Sequence, residues 1–279
     1  MSYSFDPKRM YRMPTHFGPA YGPRQSPDGV KFNGKISHKT TTVSVSFLSN
    51  AAQLRKLLPP GFNLYGDPIV TIFASYMKEI QWLAGRGYNV LGVTLNAEFS
   101  GKKDKVHGPF LTVLWENLAD PIITGREELG FSKIYCELPE IRISSDFAAI
   151  SASWLGFNFL NLEVSSLKSI TTPFPTGPDD FEPDGLLHYK YIPRTGQWGT
   201  PDVAYPVISP VPNPNRKILE QFTGNGHFKW NVARWEDMPT QYTIINTLAD
   251  LEIKQYTSGS LKRTIGDHDL SQINQKILE

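Results

Sequence analysis

The chain of 279 residues contains a single cysteine, Cys136. A disulfide framework within the chain is therefore excluded, and so low a cysteine content is typical of a reducing compartment. We expect this cysteine to be a small buried hydrophobic residue. An excess of one charge is also missing, since 28 basic residues face 27 acidic ones. This balance does not indicate binding to nucleic acid or to an anionic membrane.

Long hydrophobic runs are missing as well. No segment approaches the ~20 consecutive apolar residues that a transmembrane helix needs. The first residues, Met1 to Arg9, lack the apolar core of a signal peptide, and Ile277 to Glu279 carry no prenylation or peroxisomal signal. We therefore expect a cytoplasmic protein that has neither a membrane nor a nucleic acid as a partner.

Several well-known catalytic motifs do not occur in the sequence. The six histidines are scattered without the spacing of metal ligands. There is no Gly-x-Ser-x-Gly nucleophile elbow, no phosphate-binding P-loop and no dinucleotide-binding fingerprint. We therefore expect no metal site and no cofactor.

Strand patterns dominate the remaining sequence. Residues 40–47 alternate polar and apolar side chains at the period of a half-buried strand. Similar patterns predict strands over residues 69–77, 88–99, 110–115, 141–144, 148–159, 188–192, 227–235 and 251–257. Helices are predicted over residues 51–58, where Asn50 supplies the N-cap, over 121–129, where Gly130 supplies the stop, and over 240–250.

Proline and glycine concentrate in three stretches, residues 14–29, 172–185 and 205–215. They predict loops or arms. Strand patterns flank each stretch, so we interpret none of them as a domain boundary. We expect an N-terminal arm over residues 1–30, a single domain over 31–262 and a C-terminal tail over 263–279, because one core of this length is feasible in a β-rich protein.

The segment Gly125 to Lys133, GREELGFSK, carries the most distinctive chemistry. It places Lys133 just beyond a predicted helix end, beside the apolar residues Phe131 and Ile134. Apolar burial disfavours the charged form of a lysine, and a neutral amine forms Schiff bases with ketones and aldehydes. The alternative is an ordinary lysine at a helix end, paired with the helix dipole and the neighbouring glutamates.

This segment resembles the active-site signature of the acetoacetate decarboxylase family, in which a Gly-Arg-Glu turn precedes two lysines and the first lysine forms the Schiff base. Other stretches are similar to the family in order and spacing: LRKLLPP at 54–60, DPIV at 67–70, WEDMPT at 235–240 and LEIK at 251–254. The likeness covers about residues 31–262. It implies a mainly β, α+β fold: an antiparallel, partly closed β-sheet or cone with short flanking helices. It also implies a homo-oligomer.

The sequence departs from the family at several pocket positions. Ile134 replaces the second lysine. Val90 and Phe73 stand where the family has glutamates. Lys39 is the nearest replacement for the arginine that holds the substrate carboxylate, and a lysine pairs with it only as a point charge. Together with Phe131, these substrate-binding candidates predict a dry, weakly charged pocket that is poor for acetoacetate itself.

The missing carboxylates leave no evident acid to protonate an enamine. Tyr256, on the last predicted strand, is our candidate for this catalytic role, because tyrosine serves as a general acid or base in other enzymes. Tyr76, Tyr88 and Tyr135 are alternatives.

The sequence therefore predicts a lyase that forms an imine between Lys133 and a keto substrate. The leading reaction is decarboxylation of a β-keto acid larger and more apolar than acetoacetate, in secondary metabolism. One alternative is a Schiff-base aldolase or dehydratase. Another is a non-covalent protein that binds an apolar ligand or guides a cyclisation. Arg126 and Glu127 are expected to order the turn before the lysine.

Overall fold

The structure is a computed structural model that describes residues 4–22, 25–35, 37–170, 183–210, 215–267 and 275–279. Most of the loop predicted over residues 172–185, and part of the one predicted over 205–215, lie outside the described residues.

Strands supply most of the described structure. Their bounds are β1 (Lys39–Leu48), β2 (Phe62–Leu64), β3 (Ile69–Lys78), β4 (Tyr88–Ser100), β5 (Lys105–Glu116), β6 (Lys133–Tyr135), β7 (Arg142–Ile143), β8 (Phe147–Trp154), β9 (Phe157–Ser169), β10 (Gly185–Pro193), β11 (Pro201–Pro210), β12 (Lys217–Trp230), β13 (Gln255–Ile265) and β14 (Lys276–Ile277). The α-helices are α1 (Ala51–Arg55), α2 (Ala119–Thr124) and α3 (Tyr242–Ala249). Short 3-10 helices span Thr15–Phe17 and Gln81–Leu83, and a π-helical turn, Gly125–Leu129, continues α2.

The strands form one mixed sheet in the order β14-β11-β10-β5-β4-β3-β1-β13-β12-β9-β8-β7, with β2 beside β4 and β6 beside β5. Most neighbours are antiparallel, whereas β5 runs parallel to both β10 and β6. The sheet is not closed. The mainly β fold with short flanking helices that we predicted from the sequence is confirmed.

The two faces of the central strands have different chemistry, as strand alternation requires. In β1, Val43, Val45 and Phe47 are fully buried in the main core. Thr42 and Ser44 point to the opposite face, where their hydroxyls pair with those of Ser75 and Ser260 at 2.8 and 2.7 Å. This second face, which is lined with hydroxyl groups, holds the pocket described below.

Local sequence signals explain the predicted helix ends. The side chain of Asn50 accepts a hydrogen bond from Ala52 N at 2.9 Å, so it caps α1 as expected. Gly130 has φ of 83°, a left-handed conformation that favours glycine, and it ends the π-helical turn. The chain therefore reverses immediately before Lys133.

Two elements differ from the sequence prediction. Residues 148–159 form two strands rather than one, because Leu155 and Gly156 adopt φ of 44° and 87° and make a hairpin turn. Residues 201–210, partly predicted as loop, form β11 despite three prolines. The strand lies next to the sheet edge, and its only outer partner, β14, pairs with it over two residues, so few ladder hydrogen bonds are lost to proline.

The two predicted terminal segments are both attached to the rest of the fold. β13 extends to Ile265, and β14 adds a strand at the edge beside β11. In the arm, Arg12 pairs with Glu128 at 2.9 Å and also donates hydrogen bonds to Thr124 and Gly22. The arm is therefore attached to the helical segment that precedes Lys133.

Candidate active site

A cavity of about 710 Å³ opens on the hydroxyl-lined face of the sheet. Its walls come from β1, β3, β4, β5 and β13 and from the segment between α2 and β6. Around Lys133 the wall is a hydrophobic cluster separate from the main core, with members from β3, β4, β5 and the loop before β6. The buried members of this cluster are Val90, Leu111, Leu114, Leu129 and Phe131. A ketone that enters this region would meet mainly apolar side chains.

Lys133 is the first residue of β6, and parallel pairing with β5 sets it opposite Leu114. The α2 helix and the π-helical turn fold over it, and its residue is only 7% exposed. Gly125 makes this close approach possible. A Cβ atom at that position would collide with the Cδ, Cε and Nζ atoms of Lys133. The first glycine of GREELGFSK, Gly125, is therefore required because the Lys133 side chain packs against it.

The Lys133 amine has two polar contacts inside the cavity. Its Nζ lies 2.9 Å from Glu116 Oε1, and it donates a hydrogen bond of 3.0 Å to the carbonyl oxygen of Pro121. The Phe131 ring centroid lies 5.6 Å from Nζ. The carbonyl contact comes from α2, so the same helix that covers the lysine also directs its amine toward the carboxylate.

Glu116 is the acidic partner of this lysine. It is the last residue of β5, where strand alternation turns Trp115 into the main core and Glu116 toward the cavity. The residue is 1% exposed, and its Oε2 has no hydrogen-bond partner among the described residues. Burial raises the pKa of Glu116 above its usual range, and the charge of Lys133 opposes that shift only in part.

The pair can hold a proton on either member. Two buried opposite charges lose much of their hydration, and burial at this site favours the protonated carboxyl group. A neutral form of the Lys133 amine would lie 2.9 Å from this carboxyl group. Such an amine can attack a carbonyl carbon, while the acid beside it can protonate the carbonyl oxygen.

Three of the substrate-binding residues predicted from the sequence line the cavity. Phe73, Val90 and Phe131 contribute to its apolar wall beside Lys133. Val90 lies directly opposite Glu116 in the pairing of β4 with β5. The family resemblance assigns a carboxylate to position 90, and in this chain the carboxylate of Glu116 lies on the neighbouring strand.

The structure places three other predicted residues away from the cavity. Lys39 is exposed and pairs with Glu79 at 2.6 Å. Ile134 packs against the main core, as strand alternation next to Lys133 requires. Tyr256 also packs against that core, because an irregularity between Ser46 and Phe47 shifts the register of β13.

The residues predicted to order the turn are positioned to do so. Arg126 donates a hydrogen bond of 2.8 Å to the carbonyl oxygen of Lys133. The carbonyl oxygen of Glu127 accepts one of 2.7 Å from the Lys190 amine, which also contacts Glu128 O at 3.1 Å. These contacts fix both ends of the segment that carries the catalytic candidate.

A buried histidine supports the same segment. Burial lowers the pKa of His188 to about 4, so its ring is neutral at neutral pH. Nδ1 lies 3.3 Å from the carbonyl oxygen of Gly130 and is the donor to it, and the ring lies 4.2 Å from that of Phe131. The histidine therefore holds the left-handed turn and the aromatic wall in place, and it does not contact the Lys133 amine.

Sequence reasoning missed Glu116. A lone glutamate at the end of the apolar run FLTVLW was the available signal, since buried glutamates are rare unless paired. Its partner is 17 residues further on, and only the register of β4, β5 and β6 brings the two side chains together.

Two further properties concern the described part of the chain as a whole. No group of histidine, cysteine, aspartate and glutamate side chains within it is arranged to hold a metal ion. None of its helices combines the length and the apolar character that crossing a membrane requires.

Comparison with known proteins places this site in a family. The family model for acetoacetate decarboxylase matches residues 12–269. No curated protein sequence matches the chain.

Among solved structures, one of acetoacetate decarboxylase is similar with a TM-score of 0.63 and 15% identity, over 87% of this chain and 89% of that one. The enduracididine biosynthesis enzyme MppR, complexed with the condensation product of pyruvate and imidazole 4-carboxaldehyde, gives a TM-score of 0.62 and 17% identity over 93% and 97%. An acetoacetate decarboxylase-like enzyme from Sphingomonas wittichii RW1 gives 0.59 and 17% over 89% and 94%.

The structural likeness shows the shared fold, and the family model extends over nearly the whole chain. The resemblance that we drew from the GREELGFSK segment is therefore confirmed, and the chain belongs to the acetoacetate decarboxylase family.

Proposed function

We propose that the protein is a Schiff-base lyase in which Lys133 forms the imine and Glu116 transfers the protons. The observation that carries this proposal is the 2.9 Å contact between the two side chains inside an otherwise apolar part of the cavity. Membership of the acetoacetate decarboxylase family supports a lyase. Glu116 replaces Tyr256 as the candidate acid in this proposal, because the tyrosine packs against the core.

Imine formation needs a neutral amine and a proton for the departing oxygen. The nitrogen lone pair of Lys133 attacks the keto carbon, and the carbonyl oxygen takes the proton of the Glu116 carboxyl group. The carbinolamine then loses its hydroxyl group as water, with the second proton drawn from the nitrogen through Glu116. The product is an iminium ion at Lys133, and Glu116 is left as a carboxylate.

Decarboxylation uses the iminium ion as an electron sink. The bond between the α-carbon and the carboxylate breaks, carbon dioxide leaves, and the electron pair forms the enamine. The apolar wall of Phe73, Val90 and Phe131 favours this step, because it does not stabilise the carboxylate that is lost. Glu116 takes up a proton from water and passes it to the enamine carbon, and hydrolysis of the imine then releases the ketone.

The proposed substrate is a β-keto acid larger than acetoacetate. A cavity of about 710 Å³ has much more room than a four-carbon acid needs. Lys39, the only candidate to hold the carboxylate of a small substrate, is paired with Glu79 outside the cavity. An expected homo-oligomer and a place in secondary metabolism stay predictions from the sequence.

Borohydride trapping tests the imine directly. The protein is incubated with straight-chain β-keto acids and methyl ketones of increasing length, then reduced, digested and mapped by mass spectrometry. We expect a reduced adduct on Lys133 and none on Lys190, a buried lysine whose amine is bound by backbone carbonyls. Lys133→Met is the negative control. A folded protein without any adduct on Lys133 would contradict the covalent mechanism and favour a non-covalent ligand-binding role.

Aldol condensation or dehydration is the second candidate. The observation that favours it is the fold shared with MppR, a structure of which holds a condensation product of pyruvate. The same imine and the same carboxylate would form an enamine by removing an α-proton instead of carbon dioxide. Release of carbon dioxide from β-keto acids supports the decarboxylase. Borohydride trapping of a condensation product of pyruvate and an aldehyde, without release of carbon dioxide, supports the aldolase or dehydratase.

A further inference from the structure

A second group of cations lines the cavity far from Lys133. Lys262 on β13 and Arg216, just before β12, both contribute to the cavity wall. Among the described residues, neither cation forms an ion pair with a carboxylate. Asp267, which has interactions of its own, lines the same end of the cavity.

Lys262 is affected both by burial and by its cationic neighbour. Burial lowers the pKa of Lys262, and the positive charge of Arg216 lowers it further. A half-buried cation beside a like charge is unfavourable in a folded protein, and an anion placed between Lys262 and Arg216 would relieve that cost. This end of the cavity is therefore suited electrostatically to an anionic group.

The register of the strands shows how far apart Lys262 and Glu116 lie along the sheet. Lys262 pairs with Thr42, Thr42 with Ser75, Ser75 with Val90, and Val90 with Glu116, so the five residues form one row across the sheet. All of them line the cavity. Neighbouring strands are about 4.8 Å apart, so the Cα atoms of Lys262 and Glu116 are separated by about 19 Å along the curved sheet.

The middle of this row is polar. Thr42 and Ser75 share a hydrogen bond of 2.8 Å between their hydroxyl groups, and Thr40, Thr71 and Thr264 add further hydroxyls to the cavity wall. Such groups can donate to or accept from oxygen atoms in the middle of a ligand. The sequence predicted an apolar substrate, whereas hydroxyl groups line the middle of the cavity.

We propose that Lys262 and Arg216 form an anion-binding subsite for a carboxylate that the substrate keeps throughout the reaction. This proposal rests on the imine role of Lys133 and adds the substrate class: keto acids with a carboxylate several bonds away from the keto carbon. For a decarboxylation, the substrate carries two carboxylates. The one that leaves lies in the apolar wall near Lys133, and the one that stays binds the cations at the far end.

This arrangement separates the two anions for a physical reason. A cation beside the departing carboxylate would stabilise the substrate before the reaction more than the transition state, in which that charge disappears. A cation at the remote end holds the substrate equally in both states and fixes its position. The retained anion therefore supplies binding and orientation without opposing the loss of carbon dioxide.

The test compares charge and length in one set of ligands. Methyl ketones that end in a carboxylate are matched with the carboxamides of the same length, and half-saturation is measured by borohydride trapping. We expect the carboxylate to be preferred about tenfold over the carboxamide at one intermediate to long chain length, as one charge-assisted hydrogen bond typically gives. In Lys262→Met and Arg216→Gln, the preference should fall to about one.

Lys254→Met is the matched control, since Lys254 is exposed and lies outside the cavity wall. It should keep the tenfold preference. Equal trapping of the carboxylate and the carboxamide at every length in the wild type would overturn the subsite and leave the imine intact.

A second measurement tests the subsite without an imine. Calorimetric titration with nonanoate and with nonanamide needs no keto group, and both ligands can reach the row from Thr42 to Lys262. Tighter binding of nonanoate to the wild type, lost in Lys262→Met, would support the subsite even if no ketone were trapped. Equal affinity for the two ligands, or an unchanged preference in a folded Lys262→Met protein, would contradict it.

Discussion

At one end of the cavity, Lys133 is buried against the carboxylate of Glu116, and apolar side chains surround the pair. At the other end, Lys262 and Arg216 line the cavity among hydroxyl groups, and within the described structure neither forms an ion pair with a carboxylate. The first arrangement satisfies its charges internally and can move a proton. The second leaves a positive charge for a ligand. Position and partner, rather than residue type, therefore separate a reacting lysine from a binding one.

A third lysine sharpens the comparison. The amine of Lys190 is also largely buried, and burial lowers its pKa. It donates to the carbonyl oxygens of Glu127 and Glu128 at the end of the π-helical turn and has no carboxylate at hydrogen-bond distance in the described structure. Burial alone thus does not define the reacting lysine, because a nearby acid and access to the cavity are also needed.

The largest expected effect comes from the lysine at the apolar end. Lys133→Met should abolish imine trapping and lower turnover by about 10⁴-fold or more, since loss of a nucleophile leaves only binding and positioning. Steady-state kinetics and mass spectrometry measure both. Turnover within tenfold of the wild type, with a folded variant, would show that another group carries the reaction.

The next effect tests the packing of that lysine. Gly125→Ala places a methyl group where the Lys133 side chain lies, although φ of −64° at Gly125 suits any residue. We expect a loss of about 1–3 kcal/mol in the free energy of unfolding and a fall of about 100-fold in the rate of trapping, because the amine is displaced. Ile123→Ala, on the exposed side of α2, is the matched control. It should change neither the free energy of unfolding nor the rate of trapping. A normal trapping rate in Gly125→Ala would mean that the lysine moves freely.

The buried carboxyl group should also make stability depend on pH. The pKa of Glu116 in the folded protein is raised above 4.5, so the folded state binds more protons than the unfolded state once the pH exceeds that value. The free energy of unfolding of the wild type should therefore fall, relative to Glu116→Gln, as the pH rises through the raised pKa. Denaturant unfolding of both proteins between about pH 4 and 8 measures this difference. Parallel curves would indicate that burial does not perturb Glu116.

The smallest effect on the chemistry is expected next to the lysine in sequence. If Ile134 contacted the amine, Ile134→Gln would shift the pH profile of trapping upward, because a polar neighbour favours the charged form of the lysine. Because Ile134 packs against the main core, we now expect the profile to stay unchanged while stability falls by about 1–3 kcal/mol. Val90→Thr, on the cavity wall beside Glu116, is the comparison variant and should alter the profile. A shifted profile in Ile134→Gln alone would reverse this assignment.

The predictable part of the molecule was the part that local sequence determines. We predicted the strands from the alternation of polar and apolar residues, and two helix ends from Asn50 and Gly130. The GREELGFSK segment identified Lys133 as the candidate and indicated the family. A Leu-Gly turn at residues 155 and 156 was missed, because leucine rarely adopts positive φ.

The unpredicted part depends on register between strands that are distant in sequence. Glu116 meets Lys133 through β5 and β6, and Lys262 reaches the same cavity only because four strand pairings place it in the row with Glu116. Tyr256 was our candidate acid because it lies on the last predicted strand, but one irregularity in the pairing of β1 with β13 puts it on the other face. A single sequence does not contain these registers in readable form.

Hydrogen–deuterium exchange at the α-carbon of a trapped ketone tests the central claim most directly. It requires both the imine of Lys133 and a proton-transfer group, and it needs no decarboxylation. In D₂O, the wild type should exchange the α-hydrogens of the methyl ketone that it traps best, and Lys133→Met should not. Glu116→Gln should still give a borohydride adduct on Lys133 but exchange about 10²–10⁴-fold more slowly, as expected when a general acid–base group is removed. Exchange at the wild-type rate in Glu116→Gln would contradict the account.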